Sequence, residues 1–205
     1  MNNRYLILTA HVISLIFSPF YLPVMAFIVL LFFSYMSYTS WTYNLQIIGM
    51  AYVFTVLLPR LSIYAYRRLN GWTRHQLSRR ERRIVPYVLS ISCYAALLYL
   101  MDSLRMPRFT LGIVAGALAI QVVCALVNPW IKVSTHAAAA GGLIGAVMAF
   151  SAMLRYDPTG GLCFSILIAG LVCTARLILR QHTLGELGLG VLIGMACAFF
   201  FILYI

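Results

Sequence analysis

Two short polar clusters interrupt an otherwise apolar chain, and each contains side chains that can take part in phosphoryl transfer. They are Lys132, Ser134 and His136 in the first cluster, and Arg176, His182 and Glu186 in the second. One imidazole can attack phosphorus, another can protonate a leaving oxygen, and cations can hold phosphate oxygens, all without a metal ion. Ionisable groups are costly near a bilayer, so those found between apolar segments are candidates for function.

The spacing within the second cluster favours an oriented histidine. His182 and Glu186 are four residues apart, so on a helix the carboxylate can hydrogen-bond one imidazole nitrogen and orient the other. Arg176 and Arg180 are also one turn apart and could hold phosphate oxygens. An alternative is a capping box, because Thr183 and Glu186 have its spacing. In that case Glu186 serves the helix start, although one glutamate can do both.

The first cluster has the pattern of a helix start. Pro129 ends one helix, and Ser134 or Thr135 can cap the next, which places free backbone N–H groups beside Lys132 and His136. Such a helix end is an anion site. The small residues that follow, 137–142, let neighbouring helices approach closely. The alternative is an interfacial lysine that extends towards lipid headgroups beside a capping serine.

The composition is that of a membrane protein. Of 205 residues, 63% are hydrophobic and only 9% are charged, whereas a soluble domain has about 25% charged residues. The net charge of +11 comes almost wholly from arginine. In so apolar a chain it indicates contact with the lipid bilayer and its anionic headgroups or with substrate phosphates, and not with nucleic acid. Five cysteines lie in apolar stretches without metal-ligand spacing, so we interpret them as packing residues.

The elements that must position these clusters are membrane-spanning helices. A crossing needs about 20 apolar residues, and the sequence predicts spans near 8–35, 45–63, 85–101, 109–128, 135–154, 161–180 and 184–204. Pro19 and Pro23 should break the first into an interfacial or half-membrane piece followed by a true span. This first run lacks a small-residue cleavage site, so we expect it to be retained. The fold class is therefore all-α: a polytopic transmembrane bundle of six or seven spans, forming one integral membrane domain, 1–205.

At this point the sequence resembles the type 2 phosphatidic acid phosphatase superfamily, whose motifs are Lys-x6-Arg-Pro, Pro-Ser-Gly-His and Ser-Arg-x5-His-x3-Asp. The third motif stands here as Ala175-Arg176-x5-His182-x3-Glu186, and the second as Val133-Ser134-Thr135-His136. The first is the poorest match, because residues 79–86 keep basic residues and a proline but not the spacing. The resemblance covers roughly residues 79–200, a phosphatase-like core.

The resemblance implies a role for each site residue and a reaction without cofactor or metal. His182 would attack phosphorus and form a phosphohistidine, Glu186 would orient it, and His136 would protonate the leaving oxygen. Phosphate oxygens would be bound by Arg176, Ser134 and arginines of the basic segment, Arg79, Arg82 and Arg83. We infer that Lys132, one turn before His136, replaces the basic residue that the first motif fails to supply. The substrate would be a membrane lipid with a phosphate or pyrophosphate headgroup.

Three departures from the family pattern bear on activity. Thr135 replaces a glycine, Ala175 removes a hydroxyl, and Glu186 lengthens the acidic arm by one methylene. A displacement of about 1 Å can cost about 100-fold in rate. One alternative is therefore a catalytically inactive relative that binds anionic lipid or a membrane partner. Another is a small transporter in which His136, His182 and Glu186 line a polar path.

The sequence gives conflicting indications of sidedness. The basic segment 64–83 and both polar clusters are predicted at the same end of the bundle. The positive-inside rule places that end in the cytoplasm, whereas the resemblance places the site on the other face. Substrate phosphates could account for the arginine excess. We therefore expect an integral protein of a bacterial inner (plasma) membrane with its site on the non-cytoplasmic face.

Overall fold

The computed structural model describes residues 3–33, 40–71 and 84–205, and every regular element in those ranges is helical. In chain order the helices are α1 (Asn3–Ile16), α2 (Leu22–Phe33), α3 (Trp41–Leu69), α4 (Ile84–Ser103), α5 (Arg108–Val127), α6 (Thr135–Leu154), α7 (Thr159–Ile178) and α8 (Leu184–Tyr204).

Six of these helices, α3 to α8, are long and apolar enough to cross a membrane. The predicted all-α transmembrane bundle is confirmed. The bounds of α4 to α8 agree with the predicted spans to within two residues, because each span is delimited by polar turn residues. Large apolar side chains on the outside of the bundle are exposed, for example Phe164 and Leu167 on α7. In a bilayer such a surface is covered by lipid.

The first predicted span is only partly correct. The chain breaks as expected, because residues 17–21 with Pro19 separate α1 from α2, and Pro23 occupies the second position of α2, where the helix needs no N–H donor. However, α1 has 14 residues and the part of α2 inside the described range, which ends at Phe33, has 12, whereas a crossing needs about 20. The expected true span after the break is therefore not found in the described residues, which give six of the seven predicted spans.

A local π-helical turn inside α3, Val53–Leu57, has an identifiable cause. Pro59 lacks an N–H donor, and in a regular helix its ring would clash with the carbonyl of Thr55. The wider π turn relieves this clash. It also directs the Thr55 hydroxyl to the carbonyl oxygen of Phe20, 3.2 Å away, in the break between α1 and α2. The break and the π turn therefore stabilise each other.

The closest helix pair is α6 with α8, and small residues make it possible. A Cβ atom added to Gly194 would overlap the Ala138 carbonyl, and one added to Gly141 would overlap the Val191 carbonyl. Nearer the start of the pair, a Cβ on Gly190 would lie 2.9 Å from the Ser134 carbonyl oxygen. The two backbones are thus in direct contact, as small residues allow between membrane helices. Since α6 and α8 run in the same direction, this contact fixes their N-termini side by side.

We expect Gly194→Ala to destabilise the protein by about 2 to 3 kcal/mol, because backbone cannot yield to the added methyl group as a side chain can. The matched control is Gly188→Ala on the same helix, where nothing lies within 4 Å of the added Cβ. That change should be neutral or stabilise by up to about 1 kcal/mol. Thermal unfolding in detergent micelles measures both. Equal melting temperatures for the two variants would contradict the close packing described here.

Candidate functional site

The two polar clusters lie at the same end of the bundle and are joined by a hydrogen bond. The first occupies the connection from α5 to α6, and the second the connection from α7 to α8. Lys132 Nζ donates to the Gln181 carbonyl oxygen at 3.1 Å, next to His182. A lysine has three donors, so this contact uses only part of its capacity. Lys132, Ser134 and His182 therefore lie in two adjacent loops, and His136, Arg176 and Glu186 lie on the helix ends that these loops join.

A tight turn at the end of α7 places His182. The Gln181 amide donates to the Arg176 carbonyl at 3.2 Å and the Arg180 amide to the Leu177 carbonyl at 2.9 Å, the two hydrogen bonds of a Schellman motif. The turn requires a left-handed residue, and Arg180 takes that conformation with φ of 50°, which costs an arginine about 1 kcal/mol. It redirects the chain across to Lys132.

His182 and Glu186 form the central contact of the site. Nδ1 of His182 lies 2.7 Å from Oε2 of Glu186, and the side chains are 2% and 21% exposed. The same carboxylate oxygen accepts the Thr183 amide at 3.3 Å, and the Thr183 hydroxyl accepts the Glu186 amide at 3.4 Å. The capping box and the oriented histidine, which the sequence offered as alternatives, are thus both present. The capping box fixes the carboxylate at the start of α8, and the fixed carboxylate holds a nearly buried imidazole.

The first turn of α6 carries the other imidazole. Ser134 is the N-cap residue, it is completely buried, and its hydroxyl accepts the Ala137 amide at 3.4 Å. The capping role predicted from the sequence is therefore observed for Ser134. His136 follows at the second helical position and is half-buried. This end of α6 presents N–H groups of the first turn close to Lys132, as in an anion site.

Arg176 is held by a residue from a distant part of the chain. Its Nη1 donates to the Ser14 hydroxyl of α1 at 2.8 Å, and Ser14 is 8% exposed. The two residues are 162 positions apart. Ser14 is not among the predicted site residues. A signal was present, however, because His11, Ser14 and Ser18 have helical spacing along one face of an otherwise apolar segment.

The charge balance at this end of the bundle is positive. Glu186 is its only acidic side chain among the described residues, against Lys132, Arg176 and Arg180. The N-termini of α6 and α8 present positive dipole ends and the C-termini of α5 and α7 negative ones, so the positive balance comes from the side chains. The other described carboxylates, Asp102 and Asp157, lie at the opposite end, where hydrogen bonds from Thr159 lower the pKa of Asp157. An electropositive, partly buried environment of this kind favours an anionic ligand.

Three of the predicted site residues are arginines of the basic segment. Arg79, Arg82 and Arg83 lie outside the described residues, so their predicted phosphate contacts stay predictions.

Within the described ranges, no group of three or more His, Cys, Asp or Glu side chains could hold a metal ion.

An apolar cavity begins beside the site and extends into the bundle. It has a volume of about 80 Å³ and lies between the start of α2 and helices α4, α5, α6 and α8. Thr135, the neighbour of His136, lies at its site end, and Ala146 lies eleven residues further along α6, a depth of about 16 Å. Its few polar side chains include Gln121 and the buried Tyr94.

Comparisons of the chain with protein-family models, with curated protein sequences and with solved structures find no match. The family likeness therefore depends on the motif residues alone, and the activity it implies is a proposal.

Proposed function

We propose that the protein is a metal-independent phosphatase of a membrane lipid that carries a phosphate or pyrophosphate headgroup. The observation that supports this proposal most directly is the 2.7 Å contact between His182 Nδ1 and Glu186, with an imidazole that is 2% exposed. A carboxylate on one nitrogen fixes the tautomer and keeps the lone pair on the other nitrogen. The site is proposed to face the non-cytoplasmic side of a bacterial plasma membrane.

In the first chemical step, Nε2 of His182 forms a bond to the terminal phosphorus as the bond from that phosphorus to the leaving oxygen breaks. The leaving oxygen is the lipid oxygen of a monophosphate or the bridging oxygen of a pyrophosphate. His136 gives its proton to that oxygen, and Glu186 stabilises the positive charge that develops on the His182 ring. Arg176 and Lys132 neutralise the non-bridging oxygens together with the first turn of α6. Each of these groups belongs to the two joined loops or the helix ends beside them.

In the second step, water attacks the phosphohistidine and the bond between nitrogen and phosphorus breaks. His136, now neutral, takes the proton from the water, so it acts as acid in the first step and base in the second. Orthophosphate leaves and His182 returns to its starting state.

The apolar cavity supports a lipid substrate. Thr135, which precedes His136, lines one end of it, and the lining continues along α6 away from the polar loops. A hydrocarbon chain in this cavity would pack against apolar side chains of the protein in place of other lipid chains, while the headgroup stayed at the polar end. This arrangement keeps the reacting phosphate near Lys132 and the tail within the bilayer depth.

The test is phosphate release by the purified protein in detergent or vesicles, with EDTA present. The substrates are phosphatidic acid, phosphatidylglycerophosphate, a polyprenyl pyrophosphate and lipid A. Release from at least one of them with EDTA is the expected outcome. Binding of these lipids without any release would instead favour the catalytically inactive relative.

Narrowing the deep end of the cavity should discriminate against long tails. Ala146 lies about 16 Å from the site end, so we expect Ala146→Phe to displace about two methylenes of a long chain. At about 0.8 kcal/mol for each buried methylene, kcat/KM for the long-chain lipid should fall about tenfold.

A short-chain analogue that does not reach Ala146 should be hydrolysed at the normal rate. Ala152→Phe, on the exposed part of the same helix, is the matched control and should leave both substrates unaffected. An equal loss for both chain lengths in Ala146→Phe would argue against a tail in this cavity.

A further inference from the structure

We infer that α1 is part of the phosphate site and that Ser14 is a positioning residue for Arg176. This inference rests on the proposed function, because it assigns Arg176 to phosphate binding. Ser14 lies far outside residues 79–200, to which the family resemblance is confined. It is nevertheless the residue whose hydroxyl accepts the Arg176 guanidinium, at 2.8 Å.

The packing beneath the site explains how α1 reaches Arg176. Ala140 on α6 and Val172 on α7 belong to one buried cluster, and Phe17, just after α1, packs against it. One turn nearer the polar end, His136 precedes Ala140 and Arg176 follows Val172. Ser14 precedes Phe17 by three residues, which is also about one turn. The three polar residues therefore lie on one level, directly above a shared apolar cluster.

The contact also has a reason in the energetics of arginine. An unrestrained arginine side chain loses about 2 kcal/mol of rotamer entropy when it is fixed. Because Ser14 holds one Nη in place, part of this entropy is already lost before a ligand binds.

The chain next to Arg176 supplies no hydroxyl of its own. Ala175 is buried and has none, so the hydroxyl beside the guanidinium comes from Ser14 of α1. The N-terminal helix, too short to cross the bilayer, thereby acquires a function in the site.

The test compares Ser14→Ala with Ser18→Ala. Both serines are 8% exposed, and Ser18 is four residues after Ser14. Of the two serines, only Ser14 makes a described hydrogen bond to Arg176. Orthovanadate serves as the probe, through its inhibition constant and through the rise in melting temperature that it causes. We expect Ser14→Ala to weaken vanadate binding and lower kcat/KM about tenfold, since a hydrogen bond to a charged group is lost. Ser18→Ala should change neither by more than about twofold.

Two additional variants distinguish positioning from packing. Ser14→Thr keeps the hydroxyl and should restore vanadate affinity to within about threefold. In an Arg176→Ala background, Ser14→Ala should have no further effect on vanadate binding, because the interaction it removes is already absent. Should Ser14→Ala fail to fold, Ser14→Cys makes the same test, because sulfur is a weak acceptor of nearly the same size.

The inference is overturned if Ser14→Ala binds vanadate as the unmodified protein does, or if Ser18→Ala loses affinity equally. The vanadate-induced rise in melting temperature is a binding measurement and needs no turnover. If no lipid releases phosphate, the proposed catalysis fails, while the vanadate result still decides the role of Ser14.

Discussion

The His182→Ala variant is expected to lose phosphate release by on the order of 10⁴-fold or more, because the nucleophile of the proposed first step is gone. The melting temperature should fall because a nearly buried imidazole is truncated, but the protein should stay folded, since the capping box of α8 uses Thr183 and Glu186. The rate is measured with the best substrate from the EDTA panel. A parallel rapid-quench experiment with labelled lipid should trap a protein-bound phosphate that is acid-labile and base-stable in the unmodified protein only.

His136→Ala provides the matched control, because it removes the other imidazole of the site without removing the nucleophile. A substrate with a good leaving group, such as a nitrophenyl phosphate, needs no proton from His136. The defect of His136→Ala should therefore shrink with that substrate, and the phosphohistidine should accumulate. His182→Ala should stay inactive with both substrates. Retention of normal turnover by His182→Ala would remove His182 from the proposed role.

The spans α6 and α8 could be predicted from the sequence because their signals are local. Each has an apolar run of membrane-crossing length, and each begins at a cap residue, Ser134 or Thr183, whose side chain bonds within three positions. The first apolar run was harder, because hydropathy does not determine where a broken helix continues. Its course depends on the bond from Thr55 to the Phe20 carbonyl, 35 residues away in sequence. No local pattern specifies such a contact.

The same distinction between local and long-range contacts applies to the site. His182 and Glu186 are one turn apart, so their hydrogen bond could be predicted, and the competing capping box was equally visible. The sequence could not predict that both contacts, with His182 and with the Thr183 amide, are made by one oxygen of Glu186. The bond between Ser14 and Arg176 joins the first helix to the seventh. It depends on how α1 packs over α6 and α7, which a single sequence does not specify.

The Glu186→Gln variant is expected to lower kcat by about 10³-fold while the protein stays folded. A glutamine at this position keeps the size and one carbonyl oxygen, so it can still accept the Thr183 amide that now lies 3.3 Å from Oε2. It has no negative charge to stabilise the imidazolium of His182. The measurement is kcat with the best lipid substrate, together with the melting temperature in the same detergent.

Thr183→Ala separates the two functions of Glu186. It removes the hydroxyl that caps α8 and should cost about 1 kcal/mol of stability, but it leaves the carboxylate and its contact with His182. If Glu186 orients a catalytic histidine, Glu186→Gln lowers kcat with little loss of stability, and Thr183→Ala does the reverse. If Glu186 serves only the start of α8, both variants should lower stability and neither should affect turnover beyond that loss. The two substitutions change different contacts of Glu186: Glu186→Gln changes its contact with His182, and Thr183→Ala its contact with the cap residue. Comparing them therefore shows whether the carboxylate acts on the helix alone or also on the imidazole.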